Sequence, residues 1–335
     1  MSIIILSIES SCDETSASIL KDGEVLSNIV ATQDVHKEFG GVVPELASRA
    51  HQQNIVPVVD KALIEAGVSK EYLSAIAFTR GPGLLGALIV GTSFAKALSL
   101  GLDIPLIEVN HMQAHILAHF IDEPKPKFPF LCLTVSGGHT QIVLVKSYLK
   151  MEVIGQTIDD AAGEAFDKSA KLLGMDYPGG PMIDKHAKLG NSNRFKFAKS
   201  RISGYDYSFS GVKTSFLYFL KKEIKENPKF IEENINDLAA SIQKNIVEVL
   251  VDKLEKAASD HNITEIAIAG GVSANSGLRE HITNVADKNN WQTYFPALEY
   301  CTDNAAMIAV AGYYKFKEND FVGLDVTPLA RMPLS

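Results

Sequence analysis

The same order of strand, polar turn and strand opens each half of this chain of 335 residues. Residues 3–8 form a nearly continuous β-branched run, as expected of a strand buried on both faces, and residues 15–20 alternate after a polar turn. Residues 130–135 predict a second buried strand, and residues 140–145 a second alternating one that aligns with 15–20. This internal duplication restricts the chain to folds built from two related α/β lobes.

Helical and strand signals fill both halves. Pro44 suits the first turn of a helix that runs to about Ala66, with Gly67 as its stop. Further elements at 75–79, 86–100, 106–109 and 111–120 give the first half the order βββαβαβα. The second half predicts elements at 162–173, 236–259, 265–269, 274–288, 293–295 and 304–317.

We therefore expect an α/β fold with an N-terminal lobe over residues 1–122 and a C-terminal lobe over residues 130–335, with an insertion at about 175–235. The segment 123–129 is the predicted linker, because Pro124, Pro126 and Pro129 suit neither a helix interior nor a strand interior. Turns from duplicated lobes converge, so this architecture predicts a ligand cleft between the lobes.

Composition excludes several classes of protein. A hydrophobic content of 46% with 21% charged residues argues against disordered, collagen-like and coiled-coil chains. The apolar stretch 84–102 includes Thr92, Ser93 and Lys96, so we do not expect it to span a membrane. The first residues lack a basic region typical of a secretion signal, which favours the cytoplasm. Three widely spaced cysteines predict neither a disulfide framework nor a thiolate zinc site.

Charge is unevenly distributed along the chain. The net charge is −8, which argues against non-specific nucleic-acid binding. Residues 185–222 nevertheless hold nine basic residues against a single acid, Asp206. Aromatic residues at 195, 197, 205, 207 and 209 interleave with these cations, a pattern typical of RNA binding. A half-buried strand with solvated lysines is the alternative interpretation of residues 205–209.

His111 and His115 lie four positions apart, so a helix would place both imidazoles on one face with metal-ligand spacing. Met112 follows the first histidine, where the HExxH proteases have a glutamate base, so a hydrolase of that class is not indicated. Asp303 is a candidate oxygen ligand, although it could instead be the N-cap of the last helix. Two unrelated helical histidines remain the alternative.

Paired glycines follow two of the predicted buried strands, at Ser136-Gly137-Gly138 and at Gly270-Gly271. Such turns let backbone amides approach an anion, and the second also opens a helix. With Gly179-Gly180-Pro181, they favour nucleotide phosphate binding, although neither a Rossmann nor a P-loop motif is present. The acids near the predicted turns are Glu9, Asp13, Glu14, Asp159, Asp160, Glu164 and Asp167.

Ten segments together carry a family resemblance. They are Glu9-Ser10-Ser11-Cys12-Asp13-Glu14-Thr15, Gly40-Gly41-Val42-Val43-Pro44-Glu45, Gly81-Pro82-Gly83-Leu84, 111–115, 135–140, Phe166-Asp167-Lys168, Tyr177-Pro178-Gly179-Gly180-Pro181, Phe209-Ser210-Gly211-Val212-Lys213-Thr214, 270–275 and Thr302-Asp303-Asn304. In this order and at this spacing, the sequence closely resembles the TsaD family, once labelled O-sialoglycoprotein endopeptidases.

The resemblance implies a fold of the actin, sugar-kinase and Hsp70 type. It implies a transferase that moves the threonylcarbamoyl group of threonylcarbamoyl-AMP to the N6 amine of adenosine 37 in tRNAs that read codons beginning with A. It also implies one divalent metal ion, iron or zinc, held by His111, His115 and Asp303. The nucleotide contacts that it implies are Thr134, Val135, Ser136, Gly137, Gly138, Asp167, Gly180, Asp184 and Asn275.

The implied partners are tRNA, a TsaB-like paralogue that forms a heterodimer, and a TsaE-like ATPase, while a TsaC-like enzyme supplies the intermediate. We predict that Lys196, Lys199 and Arg201 contact tRNA phosphates, and that the helix at 44–66 contacts the paralogue. Asp13 is the candidate base or orienting group for the amine. A small-molecule kinase of the same fold and a non-catalytic nucleotide-binding scaffold are the alternative functions.

Overall fold

The computed structural model describes residues 2–199 and 202–334, which divide into two compact units. The first unit contains the chain up to Lys125, the short segment Lys146–Met151 and the chain from Pro296 onward. The second contains Pro126–Val145 and Glu152–Phe295. Each unit has its own five-stranded sheet with helices packed against it.

The first sheet has the strand order β3-β2-β1-β4-β5. Its strands are β1 (Ile4–Glu9), β2 (Thr15–Lys21), β3 (Glu24–Ala31), β4 (Ala75–Gly81) and β5 (Leu106–Asn110). Asp22 and Gly23 both have positive φ, at 52° and 95°, so the β2–β3 connection is the tight hairpin that the sequence predicts. The central strand β1 pairs antiparallel with β2 and parallel with β4.

Six helices belong to the first unit: α1 (His36–Phe39), α2 (Pro44–Ala66), α3 (Leu85–Leu102), α4 (His111–Leu117), α10 (Leu298–Cys301) and α11 (Ala305–Lys317). The predicted stop of α2 is confirmed, because Gly67 caps it in the left-handed conformation at φ 63°. Short 3-10 helices lie at Lys70–Tyr72 and Ala118–Phe120. The order βββαβαβα is therefore confirmed, with α1 as an additional short turn of helix.

The second sheet repeats the first. Its strands β6 (Phe130–Val135), β7 (Thr140–Ser147), β8 (Lys150–Gln156), β9 (Glu265–Ala269) and β10 (Gln292–Tyr294) have the order β8-β7-β6-β9-β10. Its helices are α5 (Ala162–Leu172), α6 (Gly179–Ala187), α7 (Ser210–Glu226), α8 (Phe230–His261) and α9 (Ser276–Asn289), with a 3-10 helix at Gly271–Ala274. The predicted duplicated α/β fold is confirmed.

The last segment of the chain does not lie where the sequence predicted. We expected residues 130–335 to form one lobe, but the chain from Pro296 onward belongs to the first unit. The apolar helix α11 packs against β1 and β2, and the Ser7 hydroxyl donates to the carbonyl of Ala305 at 2.7 Å. The first eight residues of α11 are apolar and buried, so they must cover a sheet face, and linear order alone does not tell which sheet that is.

The predicted insertion holds α6, α7 and the first residues of α8, while β8 was not predicted. Helix α3 is the one described helix that is long and apolar enough to cross a membrane by length and composition. Its residues Ala87, Leu88 and Ala95 are buried, and the helix packs against β4 and α2. One face of α3 is thus held by the sheet and α2, while Leu85, Ile89 and Leu100 on the rest of the helix are exposed.

Candidate functional site

Helix α4 begins directly where β5 ends. Asn110 is its N-cap, and the side-chain oxygen accepts the backbone N–H groups of Met112 and Gln113 at 2.9 and 3.2 Å. This cap fixes the first turn of the helix, and all seven helical residues are buried. His111 and His115 therefore lie one turn apart on a helix whose start is held by its neighbouring strand.

The two imidazoles and Asp303 converge as predicted. The Nε2 atoms of His111 and His115 lie 3.2 Å apart, and Asp303 Oδ1 lies 3.4 and 3.1 Å from them. The three candidate donor atoms all lie within 4.8 Å of one another. Asp303 is not the N-cap of α11, because Asn304 has that role and accepts the N–H of Met307 at 3.1 Å. The alternative role for Asp303 is therefore wrong, and its carboxylate is available to the histidines.

The donor set fits a metal ion chemically. His111 Nδ1 lies 3.1 Å from Glu9 Oε2, so a neutral His111 ring that donates its Nδ1–H to this carboxylate directs the lone pair of Nε2 toward His115. Two imidazole nitrogens and one carboxylate oxygen suit zinc or iron, and three protein ligands leave coordination positions for another molecule. Repulsion between two facing nitrogen lone pairs is relieved when a proton or a cation lies between them.

Charge at this cluster is strongly coupled. Burial disfavours the ionised form of Asp303, but the neighbouring His111 and His115 outweigh it and hold the pKa of the Asp303 carboxyl well below its usual range. Burial also lowers the pKa of His111, but the carboxylates of Asp303 and Glu9 outweigh it and raise that pKa well above the usual value. Both shifts have the same cause, which is the short distance between His111 and the carboxylates of Asp303 and Glu9.

Glu9 is a supporting residue that the sequence did not single out among the acids. It is completely buried at the end of β1, where it accepts a hydrogen bond from Thr79 Oγ1 at 2.7 Å and from the Ser11 N–H at 2.5 Å. Ser11 Oγ also lies 3.2 Å from His111 Nδ1. The turn after β1 thus fixes the orientation of the His111 ring.

His51 is a second supporting residue, and no motif or spacing pointed to it. Its fully buried ring lies on α2, with Nε2 2.9 Å from the Cys12 carbonyl oxygen and Nδ1 2.7 Å from Thr15 Oγ1. Burial lowers the pKa of His51, so its neutral ring donates to the carbonyl and accepts from the hydroxyl. Helix α2 thereby holds both ends of the acidic turn 12–15.

Asp13 and Glu14 are half-buried in this turn. Burial, followed by the charges of Asp303 and Asp13, raises the pKa of Glu14 to about 9. A neutral Glu14 can donate a hydrogen bond. The predicted role of Asp13 as base or orienting group stays a prediction.

The predicted phosphate-binding turns lie in the second unit, at the carboxyl ends of β6 and β9. In the first turn the N–H of His139 donates to Ser136 Oγ at 3.1 Å, and the N–H of Gly163 donates to the Ser136 carbonyl oxygen at 3.2 Å. A Cβ on Gly163 would lie 2.5 Å from that same oxygen. The first turn of α5 therefore rests directly against residues 136–138.

Glycine is required where the two turns meet. Gly270 has φ 85°, and a Cβ there would lie 2.5 Å from the Val135 carbonyl oxygen. By contrast, a Cβ on Gly137 or Gly138 would meet none of the described atoms within 4 Å. These two backbone positions are open to an incoming group, as a phosphate-binding turn needs. Thr134 and Val135 form the buried end of β6 beside them.

The other predicted nucleotide contacts surround these turns within the second unit. Asp167 accepts the N–H of Gly179 at 2.8 Å, next to Gly180, and burial raises its pKa. Asp184 accepts the hydroxyl of Ser276 at 2.8 Å. Asn275 is the N-cap of α9, and its Nδ2 donates to Gln243 Oε1 at 2.8 Å. Sequence reasoning missed Gln243 and Ser276, since neither belongs to a glycine turn.

The basic segment is less available than the sequence suggested. Lys196 is exposed, but Lys199 pairs with Glu248 and Asp252 at 3.0 and 3.2 Å, and Arg201 lies outside the described residues. The interleaved aromatics serve packing: Tyr207 and Phe209 are fully buried, and the rings of Phe195 and Phe197 pack against other phenylalanines. The expectation that these aromatics face unstacked bases is wrong.

Two sheets of identical strand order, with glycine turns after two strands of one, define an α/β protein of the actin and sugar-kinase fold. Two buried histidines and the half-buried Asp303 form a candidate centre for one metal ion in the first unit. A family model described as "tRNA N6-adenosine threonylcarbamoyltransferase", TsaD, matches residues 24–310. The chain belongs to the TsaD family, a family of transferases that modify tRNA.

Curated relatives with this same description match along their whole length. The protein of Christiangramia forsetii is 61% identical over 332 residues, which cover 98% of each chain. That of Thermosipho africanus is 52% identical over 320 residues, covering 94% of this chain and 95% of the relative. Agreement at this level makes the chain a threonylcarbamoyltransferase that acts on the N6 amine of a tRNA adenosine.

Solved structures at low identity support the fold alone. HypF of T. kodakarensis is 14% identical with a TM-score of 0.64, over 98% of this chain and 49% of that one. Component A of (R)-2-hydroxyglutaryl-CoA dehydratase from Acidaminococcus fermentans is 15% identical with a TM-score of 0.51, over 94% of this chain and 98% of that one. Both similarities agree with the duplicated α/β architecture.

Proposed function

We propose that this chain transfers the threonylcarbamoyl group from threonylcarbamoyl-AMP to the N6 amine of adenosine 37 in tRNAs that read codons beginning with A. The convergence of His111, His115 and Asp303 within 4.8 Å is the observation that carries the proposal, in a chain whose family performs this class of transfer. The kinase and the non-catalytic scaffold are disfavoured, since neither needs a buried His-His-Asp set supported by Glu9.

His111, His115 and Asp303 hold one divalent ion, iron or zinc, in this proposal. When bound, such an ion supplies Lewis-acid stabilisation of negative charge that develops on an oxygen of the donor. Glu9 and Ser11 keep the His111 ring in its ligating orientation, and Asn304 leaves the Asp303 carboxylate free by taking over the helix cap.

Residues of the second unit bind the adenylate. The backbone N–H groups at Gly137 and Gly138 face the phosphate, because these positions are open in the folded chain. The carboxylates of Asp167 and Asp184 accept ribose hydroxyls, and Gly180 and Asn275 complete the contacts at the starts of α6 and α9. In this position the AMP part of the donor stays bound while it acts as the leaving group.

An adenine amine is a poor nucleophile because its lone pair is delocalised into the ring. Its nitrogen attacks the carbamoyl carbon, the bond from that carbon to the AMP oxygen breaks, and the amine loses a proton. Asp13 accepts or orients that proton, beside the neutral carboxyl of Glu14. The transfer yields threonylcarbamoyladenosine and AMP.

Partners follow the family expectation. A TsaB-like paralogue binds the outer face of α2, where Val56 and Ile64 are 60% and 71% exposed while Ile55 and Val59 on the other face are buried. An Ile64→Asp variant should lose the heterodimer in gel filtration and keep its unfolding midpoint, whereas retained dimer formation would contradict this contact.

A TsaE-like ATPase and a TsaC-like enzyme act together with this chain in the cytoplasm. Lys196, which is exposed, contributes to tRNA binding.

The test is a reconstituted assay with synthetic threonylcarbamoyl-AMP, unmodified tRNA and the metal-loaded chain with its paralogue. Modified nucleoside is measured by mass spectrometry after digestion, and AMP release is measured in parallel. His111→Ala should abolish both products, whereas the control His281→Ala, on α9, should keep them. Full activity of His111→Ala, or no modified nucleoside from the unaltered protein, would overturn the proposal.

A further inference from the structure

Helix α7 presents two chemically different faces. Val212, Phe216 and Leu220 are its buried residues and face the core of the second unit. The opposite face consists of the exposed residues Gly211, Thr214, Tyr218, Lys221, Lys222 and Lys225. We name this face the α7 stripe. The stripe contains no acid, although Glu223 and Glu226 lie elsewhere on the same helix.

The cations of the α7 stripe are available, in contrast to those of the preceding segment. Lys221 and Lys225 form no ion pair with any residue that the structure describes, and Lys222 has only a loose contact with Glu223 at 3.7 Å. Lys199 and Arg194, by comparison, are paired with the acids of α8 at 3.0 and 2.6 Å. The α7 stripe therefore groups three cations that are available to a partner on one helix face, whereas two cations of the preceding segment are paired with acids.

An exposed aromatic side chain lies at the centre of this charge. Tyr218 is 66% exposed, whereas Tyr207, Phe209 and Phe216 of the same region are buried. A tyrosine ring in solvent beside three lysines offers a face for base stacking and cations for phosphates, which is the combination that RNA-binding surfaces use. An acidic protein surface would use the lysines but not the ring.

The stripe is connected to the nucleotide turns through hydrogen bonds. The Asp159 carboxylate accepts the N–H of Phe209 at 2.8 Å and the hydroxyl of Ser210 at 2.8 Å, which fixes the start of α7. Asp159 lies just before α5, whose Gly163 donates to Ser136 of the glycine turn. From Ser210, α7 extends about 22 Å to Lys225, at about 1.5 Å per residue.

We infer that the α7 stripe is a tRNA-binding surface, with Tyr218 stacking on a base or ribose and Lys221, Lys222 and Lys225 contacting phosphates. The inference rests on the proposed function, because it takes tRNA as the substrate, and it assigns contacts to residues outside the adenylate and metal sites. A helix whose start is linked by hydrogen bonds to the glycine turns and that carries three available cations matches a polyanionic substrate.

The experiment measures binding of labelled unmodified tRNA to the full, metal-loaded chain from about 50 to 200 mM KCl. A triple variant with Lys221→Gln, Lys222→Gln and Lys225→Gln should bind about tenfold more weakly, and its log–log salt slope should fall by about 2 to 3. The control variant removes three dispersed exposed lysines, with Lys70→Gln, Lys150→Gln and Lys288→Gln. It should bind tRNA with the affinity of the unaltered chain, and its salt slope should differ from that of the unaltered chain by less than about one.

Tyr218 separates RNA from an acidic protein as the partner. Tyr218→Ala should weaken tRNA binding by about fivefold or more, and Tyr218→Phe should restore it, because stacking needs only the ring. If the alanine and phenylalanine variants both bind tRNA as tightly as the unaltered chain does, Tyr218 makes no stacking contact and the inference is wrong. Protection of residues 211–225 from hydrogen exchange by tRNA would support it without any substitution.

Failure of this inference is distinguishable from failure of the proposed function. If the unaltered chain modifies tRNA and the triple variant has the salt slope of the control, the stripe is a solvated face and the inference is wrong. If the unaltered chain makes no modified nucleoside but the triple variant still loses salt-dependent tRNA binding, the inference stands and the proposed reaction does not. Urea unfolding of each variant verifies that the helix is retained, as expected for glutamine on an exposed helix face.

Discussion

The turn after β1 and the turn after β6 occupy equivalent places in two sheets of the same strand order, yet their chemistry is opposite. The first, with the buried Glu9 and the half-buried Asp13 and Glu14, is acidic and densely hydrogen-bonded, and it supports His111. The second, with Gly137 and Gly138, is uncharged and open at its tip. One topology thus carries a candidate cation site in one unit and a candidate anion site in the other.

The difference indicates that the residues of the turn, rather than the sheet topology, determine which charge of ligand the turn can bind. Carboxylates and imidazoles in a buried turn gain from a positive ion, because each carries charge that water no longer solvates. Backbone N–H groups exposed by glycine gain from a negative one. The variants below exchange or remove these features in order of decreasing expected effect.

Asp303→Asn should have the largest effect. It replaces the only anionic ligand of the candidate centre with a neutral amide, while the ring positions set by α4 remain. We expect bound metal to fall well below one ion per chain and the transfer rate to fall by about 10³-fold, since a Lewis acid contributes several kcal/mol to transition-state stabilisation. Metal content by mass spectrometry and the nucleoside assay measure these, with the exposed Asp325→Asn as control. Full metal occupancy in Asp303→Asn would remove this residue from the site.

Glu9→Gln tests the support behind the ligand. Glutamine keeps the size of Glu9 but presents a neutral oxygen or an N–H group to His111 Nδ1, so the ring loses its anionic partner. Loss of such a partner weakens metal binding by about 10- to 100-fold, which a chelator competition measures. Thr79→Val removes one hydroxyl donor to the same carboxylate and should give a smaller loss. Equal metal affinity of Glu9→Gln and the unaltered protein would show that the Glu9–His111 contact has no supporting role.

Gly163→Ala and Gly138→Ala compare a packed glycine with an open one in the second unit. A methyl group on Gly163 would lie 2.5 Å from the Ser136 carbonyl oxygen, so the backbone must shift. The free energy of unfolding should therefore fall by about 1–3 kcal/mol. A methyl group on Gly138 meets nothing in the described chain within 4 Å, so stability should change by less than about 0.5 kcal/mol.

AMP binding then separates the two positions. Calorimetry should show weaker AMP binding for Gly138→Ala despite its unchanged unfolding midpoint in urea, because the methyl group fills the space that the phosphate needs. Unchanged AMP affinity in Gly138→Ala would mean that this turn does not hold the phosphate.

The sequence predicted more of the fold than of the site's surroundings. Strand and helix positions and the duplication follow from hydrophobic period and turn residues, which are local signals. The His111–His115 spacing is also local, and Asp303 was a candidate because it lies in a turn before a helix; the structure places it beside both rings. By contrast, the pairing of α11 with the first sheet and the contact of His51 with the 12–15 turn depend on tertiary packing, which no local pattern encodes.

The aromatic residues of the basic segment show the same limit. Alternating cations and rings predicted an RNA surface at 194–209, but Tyr207 and Phe209 are buried, and Lys199 and Arg194 are neutralised by acids of α8 some 43 to 53 residues away in sequence. The sequence shows where basic residues lie along the chain. Acidic residues distant in sequence determine which of those basic side chains remain unpaired in the fold.

Asp159→Asn should have the smallest effect, and it tests whether an acid of the second unit serves structure rather than a ligand. Burial opposes ionisation of Asp159, but hydrogen bonds from Ser208, Phe209 and Ser210 outweigh it and lower the pKa of its carboxyl. Because the pKa of Asp159 is lower in the folded state than the unfolded value of about 3.9, its ionised carboxylate stabilises the fold at pH values above about 3.9. This contribution is lost as the pH falls through the folded-state pKa.

The asparagine variant should therefore melt about 1–2 °C lower than the unaltered protein near neutral pH, and the difference should shrink below about pH 4. Thermal unfolding from pH 7 to pH 3 measures it, with Asp287→Asn as a control that removes an exposed acid of α9. A difference that stays constant across this range would mean that the ionised carboxylate does not hold the start of α7. The α7 stripe would then need another support.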